Sequence, residues 1–319
     1  MREYGLQLDR SLTRAGVKLR ALDYGSLQHE VSRLEPGSVL LIHFEPALMP
    51  PPVLGRQLEV ARACGARVVL CCHWYDRDLC DQFAGAVDRF VLHRDYSPRH
   101  DHSVTIPLGC PVYDPSGKDR GAIRARWGLP QDKVVMSTIG FLAGWKRLPE
   151  LTARLLDAMA PHEQLYLYVH APWPFDDGFA RAHDPEIRRV LESHACKRAK
   201  LSTEFVPEGD ALDIAWASDL GLCYHPIHTR SVSAATKQFV ATRRPAVVTS
   251  SLHSSDIEYG VLRVASFEPA DFAQAAVQVA CNASWREALG SQMQAEYDRM
   301  NMDAVAKKYL ALFEELLKR

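Results

Sequence analysis

The segment VVMSTIG, ending at Gly140, runs into FLAGWKRLPELTARLLDA, so a glycine turn is followed first by Lys146 and then by a helix. Unsatisfied amides at a helix start, the helix dipole and a nearby ammonium together make an anion site. A plain strand-to-helix turn carrying a solvated lysine would use the same residues. The loop is not a Walker loop, because GxxxxGKS/T does not occur. A second cluster lies in YHPIHTRSVSAATKQFVATRRPAVVTS, residues 224–250. Ser231 and Ser233 are N-cap types before the helix AATKQFVAT, and Lys237 falls in its early turns. Hydroxyls, free amides and a cation suit a diphosphate; the alternative is a capped amphipathic helix feeding the strand AVVTS. His100-Asp101-His102 and the pair His225/His228 hold metal-ligating types, yet no four-ligand set with zinc-like spacing emerges, so no metal is expected. GxSxG and HExxH are both missing, which leaves hydrolase readings without footing.

These groups must be positioned by an ordinary soluble framework. The chain has 319 residues, 47% hydrophobic and 24% charged, a length that suggests two domains. Its 38 Lys+Arg against 39 Asp+Glu remove the electrostatic case for a dedicated nucleic-acid binder. The first ten residues, MREYGLQLDR, lack the apolar core of a signal peptide, and no apolar run approaches the ~18 residues that span a bilayer. Eight irregularly spaced cysteines do not make a disulfide framework, and a reducing, cytoplasmic home is expected.

Tyr4, Leu8, Leu12 and Ala15 share one face of a first helix. Strands are expected over 17–22, 38–44, 67–73, 88–93 and 103–106, and helices over 29–34 and 54–64. The Pro/Gly-rich stretch 107–118 marks a boundary, after which the alternation restarts. Strands then fall at 134–139, 165–169, 220–224, 246–249 and 261–264. Helices fall at 123–127, 148–160, 186–196, 212–217 and 233–242, and from 269 to the end. Strand alternating with helix predicts an α/β fold, with two doubly wound domains facing a cleft.

As a whole the pattern resembles the GT-B-fold glycosyltransferases, in particular the nucleotide-sugar-dependent glycosyl transferases group 1. REYGLQLDRSLTRAG resembles that family's first helix, VVLCCHWYD its strand ending in a histidine, and VDRFVLH with VTIPLG the approach to the hinge. RARWGLPQDKVVMSTIGFLAGWK, FVPEGDALDIAWASDLGLCYHP and ATKQFVATRRPAVVTS resemble successive blocks of the donor domain. The resemblance implies two Rossmann-like domains: an acceptor-side domain over 1–112 with the family's first strand missing, and a donor domain over 113–300. A last helix, 301–319, would cross back to the first domain. It assigns Gly140 and Lys146 to the donor diphosphate, His73 to the reacting sugar, the backbone at Phe205 and Val206 to the nucleotide base, and Glu45 to the acceptor. Of the family's Glu-x7-Glu pair, the first place holds Arg230 and the second Gln238. Gln238 can still bond a ribose, and Arg230 can hold a phosphate or an anionic sugar. The family's Arg after the glycine is Phe141 here, so Lys146, Lys237 or Arg230 would carry the diphosphate charge.

The resemblance therefore implies a metal-independent, retaining hexosyltransferase without a cofactor. It would move a sugar from a nucleotide diphosphate sugar to the hydroxyl of a glycan, lipid-linked or small-molecule acceptor, in polysaccharide or glycoconjugate biosynthesis. Nucleic acid is not an expected partner, and membrane contact is at most peripheral. The changed Glu pair and the missing first strand motivate two alternatives: a non-catalytic scaffold of the same fold, binding a nucleotide, glycan or protein, or a sugar-nucleotide epimerase.

Overall fold

The computed structural model describes residues 2–22, 24–45, 49–97, 99–172, 178–193, 197–227 and 231–318. Helices α1 (Arg2–Arg14) and α2 (Tyr24–Glu30) precede β1 (Val39–Phe44), α3 (Pro51–Ala63), β2 (Arg67–Cys72), α4 (Arg77–Phe83), β3 (Arg89–Leu92) and β4 (Ser103–Thr105). A second run comprises α5 (Arg120–Trp127), β5 (Val134–Ile139), α6 (Leu148–Met159), β6 (Leu165–His170), α7 (Gly178–Ser193), β7 (Ala199–Ser202), α8 (Glu208–Ala217) and β8 (Leu220–Cys223). It continues through α9 (Ala234–Ala241), β9 (Ala246–Thr249), β10 (Val261–Val264), α10 (Pro269–Cys281) and α11 (Ala283–Met300) to α12 (Met302–Leu317). The chain divides into two compact units. One comprises Met1–Gly109, Arg230–Val232 and Arg299–Arg319; the other comprises Cys110–Thr229 and Ser233–Asp298.

The first unit holds a parallel sheet in the order β1-β2-β3-β4. Residues 68–72 of β2 are all buried, as a parallel strand covered on both faces requires. Alternation sends Leu40, Ile42, Phe44, Val68, Leu70, Cys72 and Phe90 to one face, under Leu54 and Leu58 of α3. Val69, Cys71 and Val91 go to the other, where Leu8 and Leu12 of α1 meet Met302, Val305, Tyr309 and Phe313 of α12. The last helix thus belongs to the same core as the first.

The second unit holds six parallel strands in the order β10-β9-β8-β5-β6-β7. Met136, Leu167, Leu222 and Val247 face α6 and α10, while Val135, Tyr168, Cys223 and Val248 face α8 and α9. Asp219, at the start of β8, organises this unit's entrance. Its carboxylate accepts from Arg120, from Arg124 and from the Val135 amide, each at 2.7 Å. Burial alone would raise its pKa, but the Arg120 charge, the Val135 bond and Arg124 together hold it below the usual carboxylate range. Gly221 lets α9 lie tight against the sheet, since a Cβ there would come within 2.5–2.7 Å of the Phe239 ring.

Three sequence expectations are corrected, and two elements were missed. Residues 17–22 are not a strand: they pair with no sheet, and Lys18 to Ala21 are exposed, because only the two ends of the segment find apolar neighbours. Ala15 lies past the end of α1 and is exposed. The helix expected from residue 186 already begins at Gly178 and continues through Pro185. Strand β7 (AKLS) and helix α4, capped by Asp76, escaped detection because neither carries a long apolar run. Among the described residues, no helix is long and apolar enough to cross a membrane.

Candidate functional site

Numbered from the first strand of the second unit, its strand order is 3-2-1-4-5-6, the doubly wound Rossmann order. The order reverses between β5 and β8, and such a switch point leaves a crevice at the carboxyl ends of the strands. A narrow pocket lies there, lined by Thr138 near the end of β5 and Gly140 just after it, Cys223 at the end of β8 and His225 just after it, Lys146, and Ala235 in the first turn of α9.

Each wall has a local cause. Gly140 has φ +139°, a region side-chain-bearing residues avoid, and a Cβ on it would sit 3.1 Å from Lys146 Nζ and 3.2 Å from Ala235 Cβ. The glycine therefore brings a cation and a helix start onto one strand end. Residues 144–146 form one 3₁₀ turn, and Arg147, in the left-handed conformation at φ 49°, starts α6. Lys146 Nζ donates to the Phe141 carbonyl at 2.9 Å, and it meets no carboxylate among the described residues. Burial lowers its pKa to about 8. Ser233 caps α9 by accepting from the Thr236 amide. The amides of Ala234 and Ala235 have no intrahelical carbonyl to reach, which leaves them for a ligand at the positive end of the helix. One turn on, Gln238 Oε1 is buried with no hydrogen-bond partner among the described residues.

The other sequence-derived residues divide. Lys237 is not available as a diphosphate ligand: its ammonium meets Asp256 at 2.6 Å, with both side chains 2% exposed. Helical phase turns it from the Ala234/Gln238 face into the protein, where its charge is neutralised. Ser231 is half-buried and leaves the capping to Ser233. Phe205 is 74% exposed and Val206 half-buried in the loop between β7 and α8. Phe141, in the family's Arg position, is exposed. Glu45 is half-buried, directly after β1. Arg230 and His228 lie outside the described residues.

His73, half-buried just after β2, lies between two other histidines. His43 Nδ1 is 3.1 Å from His73 Nε2, and His73 Nδ1 is 3.2 Å from His93 Nε2. Burial, together with the neighbouring rings, holds the pKa of His73 well below its ordinary value and that of His43 at about 3. Parallel pairing aligns His43 with Cys71, and every second residue along each strand brings His73 and His93 to the same face. Three strand ends that each carry a histidine (LLIHF, LCCH, FVLH) were the signal, readable only once the register is known.

Sequence reasoning also missed an aromatic wall beside Lys146. Trp145 stacks on His253 (5.4 Å, 11°) and His225 (5.9 Å, 27°), joining residues about 80 and 108 positions apart in the chain. His225 Nδ1 is buried without a hydrogen-bond partner among the described residues. The pair His100/His102 is absorbed locally: His100 Nδ1 accepts from the His102 amide at 3.1 Å, and its Nε2 faces Asp81 at 3.5 Å.

Solved structures show the same arrangement of elements. A UDP-forming α,α-trehalose-phosphate synthase from Burkholderia xenovorans superposes with a TM-score of 0.68 at 14% identity, covering 93% of this chain and 80% of that one. The chain has the GT-B fold. Anabaena Alr3699/HepE, solved with UDP and glucose, gives 0.69 at 13% identity, covering 86% and 78%. The N-terminal domain of a Candida albicans trehalose-6-phosphate phosphatase gives 0.71 at 11%, covering 91% and 72%. No protein-family model matches the GT-B chain, and no curated protein matches it in sequence.

Proposed function

We propose that this GT-B protein transfers a sugar from a nucleoside diphosphate sugar to a hydroxyl acceptor, in the manner of the glycosyl transferases group 1 that its sequence resembles. The observation that carries the reading is the Gly140 turn. It holds an unpaired-by-carboxylate ammonium and the start of α9 against one switch-point pocket. In transfer, the bond between the anomeric carbon and the β-phosphate oxygen breaks, and its electron pair stays on the diphosphate. The acceptor oxygen bonds the anomeric carbon and gives up its proton. Charge therefore develops on the leaving phosphate, where Lys146 and the Ala234 and Ala235 amides stand preorganised to receive it. Gln238 Oε1 supplies an unmet acceptor for a ribose hydroxyl, and the loop backbone at Phe205 and Val206 borders the base. The transfer is metal-independent and retaining, and it serves glycoconjugate assembly. UDP is the first nucleotide to test, because the Burkholderia enzyme is described as UDP-forming and the Anabaena protein was solved with UDP.

Thermal melts with UDP, GDP, dTDP, ADP and CMP, with and without EDTA, test this directly. A nucleotide at ~100 times its Kd stabilises by roughly 2.7 kcal/mol. One diphosphate should raise Tm in both conditions, and Lys146→Ala should cut the shift by about half or more. A protein that ignores all five would be a scaffold. One that changes the donor sugar without an acceptor would be an epimerase.

A further inference from the structure

We propose that the carboxyl ends of β1 and β2 bind a zinc-class metal ion through His43 Nδ1, Cys71 Sγ and His73 Nε2. The three ligand atoms all lie within 4.8 Å of one another. His43 Nδ1 and His73 Nε2 are 3.1 Å apart, and Cys71 Sγ is 3.8 Å from His73 Nε2. A tetrahedral zinc with Zn–N of about 2.0–2.1 Å and Zn–S of about 2.3 Å sets ligand–ligand edges of about 3.3 Å (N···N) and about 3.6 Å (N···S). These two edges lie within a few tenths of an ångström of those values, and the third, from His43 Nδ1 to Cys71 Sγ, lies within 4.8 Å, so binding would draw the His43 ring and the sulfur onto the ion.

The surroundings are ordered as a ligand shell. The Ile106 carbonyl can only accept, so His93 Nδ1, 3.1 Å away, carries a proton and its Nε2 carries a lone pair. That lone pair faces His73 Nδ1 at 3.2 Å and Cys71 Sγ at 3.5 Å; with the thiol ionised only His73 can donate to it, and this leaves the lone pair of His73 on Nε2, the atom that faces the site. A ligating histidine whose other nitrogen is anchored through a hydrogen-bonded chain to a backbone carbonyl is a fixed ligand. Tyr309 Oη donates to Cys71 Sγ at 3.2 Å, a bond that strengthens when the sulfur becomes a thiolate. Tyr4 of α1 packs edge-on against the rings of His43 and His73.

Binding balances simply. The divalent ion displaces the Cys71 thiol proton to solvent, and the His43 proton moves from Nδ1 to Nε2, so one proton leaves per ion. One thiolate and two imidazoles favour zinc or copper over magnesium or calcium. Three protein ligands leave a fourth position open. The site belongs to the first unit, and its existence does not depend on the donor-site reading.

The test is a Co(II) titration of the chelator-stripped full chain, read by the thiolate-to-cobalt charge-transfer band, with Zn(II) as competitor. We expect one Co(II) per chain, displaced by Zn(II), and loss of the charge-transfer band in Cys71→Ser. Other free cysteines, such as Cys64 and Cys281, make that variant decisive. His93→Phe, which removes the anchor of His73 but no ligand, should weaken affinity about 10–100-fold. If Cys71→Ser does not fold, His43→Gln takes its place, with the expected loss at least tenfold. No cobalt uptake, or a charge-transfer band that survives in Cys71→Ser or an affinity unchanged in His43→Gln, overturns the proposal.

Discussion

Replacing Gly140 by alanine tests the donor site at its most constrained atom. The new Cβ would lie 3.1 Å from Lys146 Nζ and 3.2 Å from Ala235 Cβ, on a backbone at φ +139°. Backbone strain in such regions costs of order 1–3 kcal/mol. At about 2–4 °C per kcal/mol for a unit of 150–250 residues, Tm should fall by roughly 2–12 °C while the protein stays folded. The larger effect should be on binding. Moving the ammonium off its phosphate removes a charge-assisted bond of about 1.5–3 kcal/mol, or about 10–100-fold in UDP affinity by calorimetry. Gly209→Ala is the control: it lies in α8, and its Cβ would meet nothing within 4 Å, so UDP affinity should stay at wild type and Tm should hold or rise slightly. A folded Gly140→Ala protein that binds UDP as tightly as wild type would falsify the placement of the diphosphate at this turn.

Two further outcomes follow from the same unit. Because burial lowers the Lys146 pKa from 10.5 to about 8, the native state binds fewer protons than the unfolded chain between those values. Stability from this group therefore rises with pH through that window, and the penalty is complete below about pH 8. Diphosphate needs the charged form, so affinity should drop up to tenfold per pH unit above about 8; calorimetric titrations across pH 7–9.5 should show that slope in wild type and a flat profile in Lys146→Met. Asp256→Ala strands the Lys237 ammonium in the core and should cost about 3–5 kcal/mol in urea unfolding, whereas Lys237→Met with Asp256→Leu should recover most of it. A loss below 1 kcal/mol in the single variant would show that the pair is solvated.

The amino-acid sequence by itself determined the local and periodic features. Strands VVMSTI and AVVT, and the edge strand VLRV, are bounded as their largely apolar runs predict, because a parallel strand covered by helices buries most of its side chains. The Gly140 turn, Lys146 and the Ser233 cap were legible for the same reason: a turn, an ammonium and an N-cap are local devices read over a few residues. Only the tertiary structure decided which charges are free. Lys146 and Lys237 look equivalent in sequence, yet Asp256, 19 positions on, neutralises one, while the other donates to a carbonyl and meets no carboxylate among the described residues. The same holds for the histidines. The family resemblance alone assigned His73 to a sugar; parallel register sets it between His43 and His93, 30 and 20 positions away, with Tyr309 reaching Cys71 from the far end of the chain. Pairing across a sheet follows from which strands become neighbours, and that is settled by burying whole faces against helices rather than by any short stretch of residues.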